Sequence, residues 1–230
     1  MNCLICKKAN HECIERALCV IVESYSANSN IPKNYRNVLV SDLETKRTVF
    51  EEIIEHYPID SKSIKNVYLH STTTGTGKTT TACSLLNEYL IYHVVSSYKK
   101  GISPNQVPIY FLDVNELQTL YNQFNRSNVD QTSANNASDE YYRRLKKAEV
   151  AEMVLFDDIG VRSSTDGFRG DLHGLINYRN VEKKPCIYTS NHSIERLIST
   201  YDARLYDRVR DKTIVINFDG KGSNRGEWNV

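Results

Sequence analysis

Apolar positions follow two rhythms along this chain. Five short runs are continuous: Val67-Tyr68-Leu69-His70, Ile109 to Val114, Met153-Val154-Leu155-Phe156, Pro185 to Thr189 and Ile214 to Phe218. Their length and lack of alternation predict strands buried on both faces. Between them the spacing is helical. Val49, Ile53 and Ile54 mark one face over 45–56, and Ala82, Leu85, Leu86, Tyr89 and Leu90 mark another just after the first run. Further helices are expected over 115–124, 140–149, 168–180, 194–199 and 203–210. The stretch 126–138 is polar and rich in Asn and Ser, which predicts a loop or mobile insertion. Strands alternating with helices imply an α/β domain whose parallel sheet is covered on both sides. There are no internal repeats.

Composition narrows the class. The 230 residues suffice for one sizeable domain and a small appendage. With 40% hydrophobic and 25% charged residues, the chain reads as a soluble globular protein. A net charge of +1 provides no global field to attract nucleic acid, so any such contact must come from a local patch. No apolar run is long enough to span a membrane and the N-terminus lacks a signal-peptide pattern, so the expected location is cytoplasmic. Two units are expected: a Cys-rich segment over 1–28 and a main domain over 31–230, joined by the polar residues 26–30.

The segment Thr72-Thr73-Thr74-Gly75-Thr76-Gly77-Lys78-Thr79-Thr80 sits between the first strand and a helix. A glycine-containing loop opening a helix directs backbone N–H groups at an anion, and the helix dipole favours negative charge there. Residues Thr74 to Thr80 are the expected nucleotide cradle. Lys78 reaches the β- and γ-phosphates, and the Thr79 hydroxyl is placed for Mg²⁺. One departure is Thr72, where the usual pattern has a glycine. The third strand ends in Asp157-Asp158, at the sheet edge where ligands bind. A nucleotidase needs one acid for the metal, assigned to Asp157, and one to orient water, assigned to Asp158; the bland reading is a turn that ends a strand. Asn191, after the fourth strand, suits either a γ-phosphate contact or a helix cap. Arg204 and Arg208 share one helix face, and Arg208 suits either an arginine finger or a solvated basic face.

Cys3 and Cys6 have the C-x₂-C spacing, and Cys13, Cys19 or His11 could complete a zinc site. The alternative is an amphipathic helix with Ile14, Ala17, Leu18 and Ile21 inward and Cys19 simply buried. Cys83 and Cys186 are expected in the core.

In combination, Gly-x-Gly-Lys-Thr, Leu155-Phe156-Asp157-Asp158-Ile159-Gly160, Leu175 to Arg179, Tyr188-Thr189-Ser190-Asn191 and Arg204 to Arg208 resemble the AAA+ ATPases of the DnaC/DnaI helicase-loader group, with the DnaI branch nearer. The likeness covers roughly 31–225. It implies an AAA+ P-loop NTPase fold: a five-stranded parallel sheet between helices, without a helical lid because the chain stops at Val230. It also implies ATP and Mg²⁺ as cofactors, Arg208 acting on a neighbouring subunit, and Arg225 reaching the γ-phosphate in cis. The DnaI branch's zinc site favours metal at the N-terminus. Tyr35, Val38 and Leu39 are implied walls of the adenine pocket. The insertion over 115–149 falls where such proteins face single-stranded DNA, with Arg143, Arg144, Lys146 and Lys147 for phosphates and Tyr121, Phe124 or Tyr141 for bases; otherwise these form a solvated charged helix and ordinary core aromatics.

The expected function is therefore an ATP-dependent loader of a ring-shaped replicative helicase of the DnaB/DnaC type. Turnover would be weak, stimulated by self-association or DNA. Two other readings stay open: a transposition-helper ATPase of the related IstB type, binding duplex DNA, and a nucleotide-gated helicase adaptor or inhibitor with little turnover. The abbreviated N-terminus would suit a bacteriophage or mobile element.

Overall fold

The computed structural model describes residues 16–43 and 66–218. The helix expected over 45–56 lies outside them. The elements in chain order are α1 (Arg16–Asn28), β1 (Asn66–His70), α2 (Lys78–Lys99), β2 (Ile109–Asp113), α3 (Val114–Phe124), α4 (Gln131–Val150), β3 (Met153–Asp157), α5 (Asp166–Val181), β4 (Cys186–Ser190), α6 (Arg196–Thr200), α7 (Ala203–Arg210) and β5 (Thr213–Asn217). Two single 3₁₀ turns, Lys33–Tyr35 and Val40–Asp42, follow α1.

All neighbouring strands run parallel, in the order β2-β3-β4-β1-β5. Alternate residues of β1 to β4 enter different cores, as the twofold side-chain period requires. Val67, Leu69, Ile109, Phe111, Met153, Leu155 and Ile187 face α1 and α2. Tyr68, Tyr110, Leu112, Val154, Phe156 and Tyr188 face α3 to α7. Across that second face Phe156 stacks on Tyr188, with ring centroids 5.3 Å apart. Helix α2 is apolar around most of its circumference, and Ala82, Cys83, Leu85, Leu86, Leu90 and Val94 are all buried. Such a helix belongs under other elements, not on the surface.

Although the sequence sets residues 1–28 apart, α1 buries Leu18 and Val22 in the same core as α2. The chain leaving α1 then covers the open edge of the sheet. The Phe111 N–H donates to the Ser29 carbonyl at 2.8 Å, and the Asn30 side chain donates to the Phe111 carbonyl at 3.0 Å. Pairing of this kind satisfies an edge strand that would otherwise offer itself to another chain.

The expected loop over 126–138 is corrected: its second half is the start of α4. Asp130 caps the helix by accepting from the Ser133 N–H at 2.9 Å, Gln131 bonds Asn135 one turn on, and Ala137 is buried. Cap and packing outweigh the weak helix propensity of Asn and Ser. An aromatic cluster then binds α3, α4 and α5. Tyr121, Phe124 and Tyr141 lie 5.3 to 5.5 Å apart centroid to centroid, Phe168 lies 5.7 Å from Tyr121, and the Tyr141 hydroxyl donates to Asp171 at 2.8 Å.

Arg179 of α5 is wholly buried. Its guanidinium donates to the carbonyls of Ala148, Ala151, Glu152 and Pro185 at 2.6 to 3.0 Å and to the Cys186 sulfur at 3.2 Å. All the donors of the fork are used, and they join the ends of α4 and α5 to the starts of β3 and β4. Replacing Arg179 by Ala leaves those carbonyls buried without donors. We expect a loss of about 3–5 kcal/mol in urea unfolding. Arg179→Lys should recover only part of it, because an ammonium has fewer donors in the wrong geometry. Full stability of the lysine variant would contradict this account.

Candidate active site

The loop after β1 is built for close approach to a ligand. Gly75 and Gly77 have φ of +77° and +89°, a region that side chains rarely adopt. Thr72 is exposed and its φ is not positive. This explains how the chain dispenses with glycine there. Gly77 also ends the loop as the residue before α2, and its carbonyl accepts the Thr81 N–H at 2.9 Å.

A polar cavity of about 290 Å³ lies over this turn, lined by residues 74–80, Tyr35, Asp158 and Asn191. Thr74, Gly75, Thr76, Gly77, Lys78, Thr79 and Thr80 thus meet the expected acid and the expected sensor in one place. Lys78 is buried, and its ammonium donates to the Thr73 carbonyl at 3.3 Å across the loop. Asn191 caps no helix: α6 begins at Arg196, preceded by Glu195. Tyr35 forms one wall and is anchored by Asn87 of α2, whose amide donates to the Tyr35 and Val38 carbonyls at 2.7 and 2.9 Å. Val38 and Leu39 are not in the wall, and Leu39 is buried in the core.

Asp157 is only 7% exposed. One of its oxygens, Oδ1, accepts the Thr79 hydroxyl at 3.0 Å and the Thr189 hydroxyl at 2.5 Å. Burial pushes its pKa up to about 6; the nearby Asp158 and Asp113 charges add to this, and the two threonine hydrogen bonds oppose it. A buried carboxylate beside a hydroxyl, short of positive charge, suits a hard divalent cation such as Mg²⁺. Thr79 and Asp157 would hold it. Asp158 is a left-handed residue, φ +57°, whose N–H donates to the Thr189 hydroxyl at 2.9 Å. Thr189 therefore orients both acids. Sequence reasoning missed this role, although the threonine stands within the quoted Tyr188-Thr189-Ser190-Asn191 and the register Phe156↔Tyr188 sets it beside Asp157.

A second cleft of about 380 Å³ opens beside the first, on the side of Asp157, Asp158, Asp113 and Glu116. Arg144 lies in its wall, buried, with Glu116 at 2.7 Å and Glu140 at 2.6 Å. Arg143 also binds Glu140, and Lys146 binds Glu149. Tyr121, Phe124 and Tyr141 are held in the aromatic cluster, and Tyr141 is wholly buried. Packing and ion pairs therefore engage most of the side chains expected to meet DNA; Lys147 has no such engagement among the described residues. Arg204 and Arg208 stand exposed on α7 while Leu205 and Val209 turn inward, and Arg208 is not among the residues lining the cavity. Arg225, Cys3, Cys6, His11 and Cys13 lie outside the described residues. Cys19 is buried in α1. Among the described residues no cluster of metal-ligating side chains is formed, and no helix is long and apolar enough to cross a membrane.

No protein-family model and no curated protein matches the chain. Solved structures do match its fold. The crystal structure of DnaI superposes with a TM-score of 0.59 at 21% identity, over 86% of this chain and 95% of that one. The DnaC helicase loader gives 0.58 at 19% identity, over 81% and 99%. The replication initiator DnaA bound to AMPPCP and single-stranded DNA gives 0.57 at 14% identity, over 85% of this chain and 53% of that one. At such identities the likeness is one of fold: a five-stranded parallel sheet packed between helices.

The pKa of Asp157 sets a pH dependence for the nucleotide-free protein. Its value in the folded chain lies above the ordinary 3.8, so its contribution to stability is whole below about pH 3.8 and is lost as pH rises through about 6. Asp157→Asn stays neutral throughout. It should be more stable than the parent near pH 7.5, by up to about 3 kcal/mol, and by less near pH 4.5. Urea unfolding at the two pH values, without nucleotide or metal, checks this; a pH-independent difference would count against it.

Proposed function

We propose that this chain is an ATPase that loads a ring-shaped replicative helicase onto single-stranded DNA. One observation carries the chemical part. The phosphate loop, Asp158 and Asn191 face a single cavity, with Asp157 bound to the hydroxyl of Thr79 just beneath it. The loader part is supported by the fold shared with DnaI and the DnaC helicase loader, and the single-stranded DNA part by its likeness to a DnaA that carries both AMPPCP and such a strand.

In this reading ATP lies with its phosphates on residues 74–80. Lys78 leaves the Thr73 carbonyl for the β- and γ-phosphates, and Thr79 and Asp157 would hold Mg²⁺, whose charge would offset that of the phosphates. Asp158 accepts a hydrogen bond from the attacking water and aligns it. Its side chain is one methylene shorter than glutamate, which fits slow turnover. Asn191 contacts the γ-phosphate, and Arg225 would add a cis contact. Arg208, remote from its own cavity, acts on the γ-phosphate of a neighbouring copy. ATP thereby favours self-association and strand binding, and hydrolysis releases the loaded helicase.

Lys78→Ala should abolish nucleotide binding. Arg208→Ala should bind ATP normally but lose about 10³-fold of the turnover seen in the assembled state; normal assembled turnover would remove Arg208 from this role. Asp158→Asn should keep ATP and lose hydrolysis. For the partner, the chain is co-purified with the cognate replicative helicase, with ATP and without. A stoichiometric complex released by hydrolysis is expected. No complex, together with preferential binding of duplex DNA, would replace the loader by a transposition-type ATPase.

A further inference from the structure

A third cleft, of about 430 Å³, lies at the β2 edge of the sheet, between the chain that leaves α1 and the outer face of α4. Lys33 and Arg36 come from the first side, and Arg143 and Lys147 from the second. No carboxylate lines it among the described residues. Arg143 is balanced by Glu140, and Arg36 spends its Nε on the Ile31 carbonyl at 2.9 Å. The cleft still holds an excess of positive charge from two separate stretches of chain. These cations are far apart in sequence, and the fold has brought them to one concavity.

The floor supplies a second observation. Tyr110, in the middle of β2, is 1% exposed and lines the cleft, yet its hydroxyl has no hydrogen-bond partner among the described residues. A buried hydroxyl left unpaired costs about 1–3 kcal/mol, and such a group in a folded protein calls for an explanation. An acceptor seated in the cleft would provide it. Arg143 and Arg144 act on the same phenol, and Glu140 and Glu116 oppose them, so the draw on an anion comes from the cations that line the cleft.

We propose that this cleft is a second anion site, separate from the phosphate loop, that takes a phosphate-bearing ligand, with Lys33, Arg36, Arg143 and Lys147 neutralising the charge and the Tyr110 hydroxyl donating to a phosphate oxygen. Carboxylate ligands would meet the same charge, but several cations spaced around one donor suit a group with several charged oxygens. The phosphates have two sources, a free polyphosphate or the backbone of a nucleic-acid strand. The site does not depend on the loader reading.

The test uses the full chain carrying Lys78→Ala, which silences the phosphate loop, and inorganic tripolyphosphate followed by titration calorimetry. One saturable site is expected. Lys33→Glu with Lys147→Glu should weaken it by about tenfold or more, and Tyr110→Phe, which keeps the ring and removes only the donor, by about threefold. A short oligothymidine that displaces tripolyphosphate identifies the strand as the source, and one that does not identifies free polyphosphate. Absence of saturable binding, or binding indifferent to the two charge reversals, overturns the site. Circular dichroism of each variant confirms that folding is retained before binding is read.

Discussion

A single carboxylate oxygen holds the functional end of this sheet together. Asp157 Oδ1 takes a hydroxyl from Thr79, on the helix that follows β1, and another from Thr189, on β4. Strand β4 lies between β1 and β3, so three neighbouring strands deliver one group each to the same point. The phosphate loop, the paired acids and Asn191 then face one another without long loops. The carboxylate is buried to do this and is costly to ionise. That cost is carried by the packing of the rest of the fold.

The rest of the fold is arranged to keep these strand ends in register. Both faces of the sheet are packed, one by α1 and α2 and the other by α3 to α7. At the opposite end, Arg179 gathers carbonyls from four residues into one guanidinium. The two ends complement each other. A charge without a carboxylate fastens the starts of β3 and β4, and a buried carboxylate sits where β3 finishes. Between them, the edge of β2 is closed by Ser29 and Asn30. That closure also places Lys33 and Arg36 beside α4, so the same short connection creates the basic cleft.

Local signals in the sequence were strong where one residue type serves one purpose. Gly75 and Gly77 announce positive φ, the continuous apolar runs announce central strands, and Asp157-Asp158 announces a ligand-facing strand end. Signals failed where neighbours from elsewhere supply the missing energy. Residues 131–138 look like a loop because Asn and Ser are weak helix formers, yet the Asp130 cap and the burial of Ala137 make them helical. Tyr121, Phe124 and Tyr141 read either as platforms for bases or as core aromatics, and the fold packs them on one another. Arg144 reads as a free cation and is instead shared between Glu116, 28 residues away in sequence, and Glu140.

By itself, the sequence determined the α/β class, the positions of the strands, the glycine turn after β1 and the acids at the end of β3, because each depends on spacing within a few residues. Tertiary structure alone decided that Thr189 orients both acids, that α1 joins the core, that Arg179 is a buried clamp, and that Lys33, Arg36, Arg143 and Lys147 share a cleft with Tyr110, whose hydroxyl has no partner among the described residues. These depend on strand order and on helices packing across the sheet, and a long-range pairing leaves no periodic trace in either of the segments it joins.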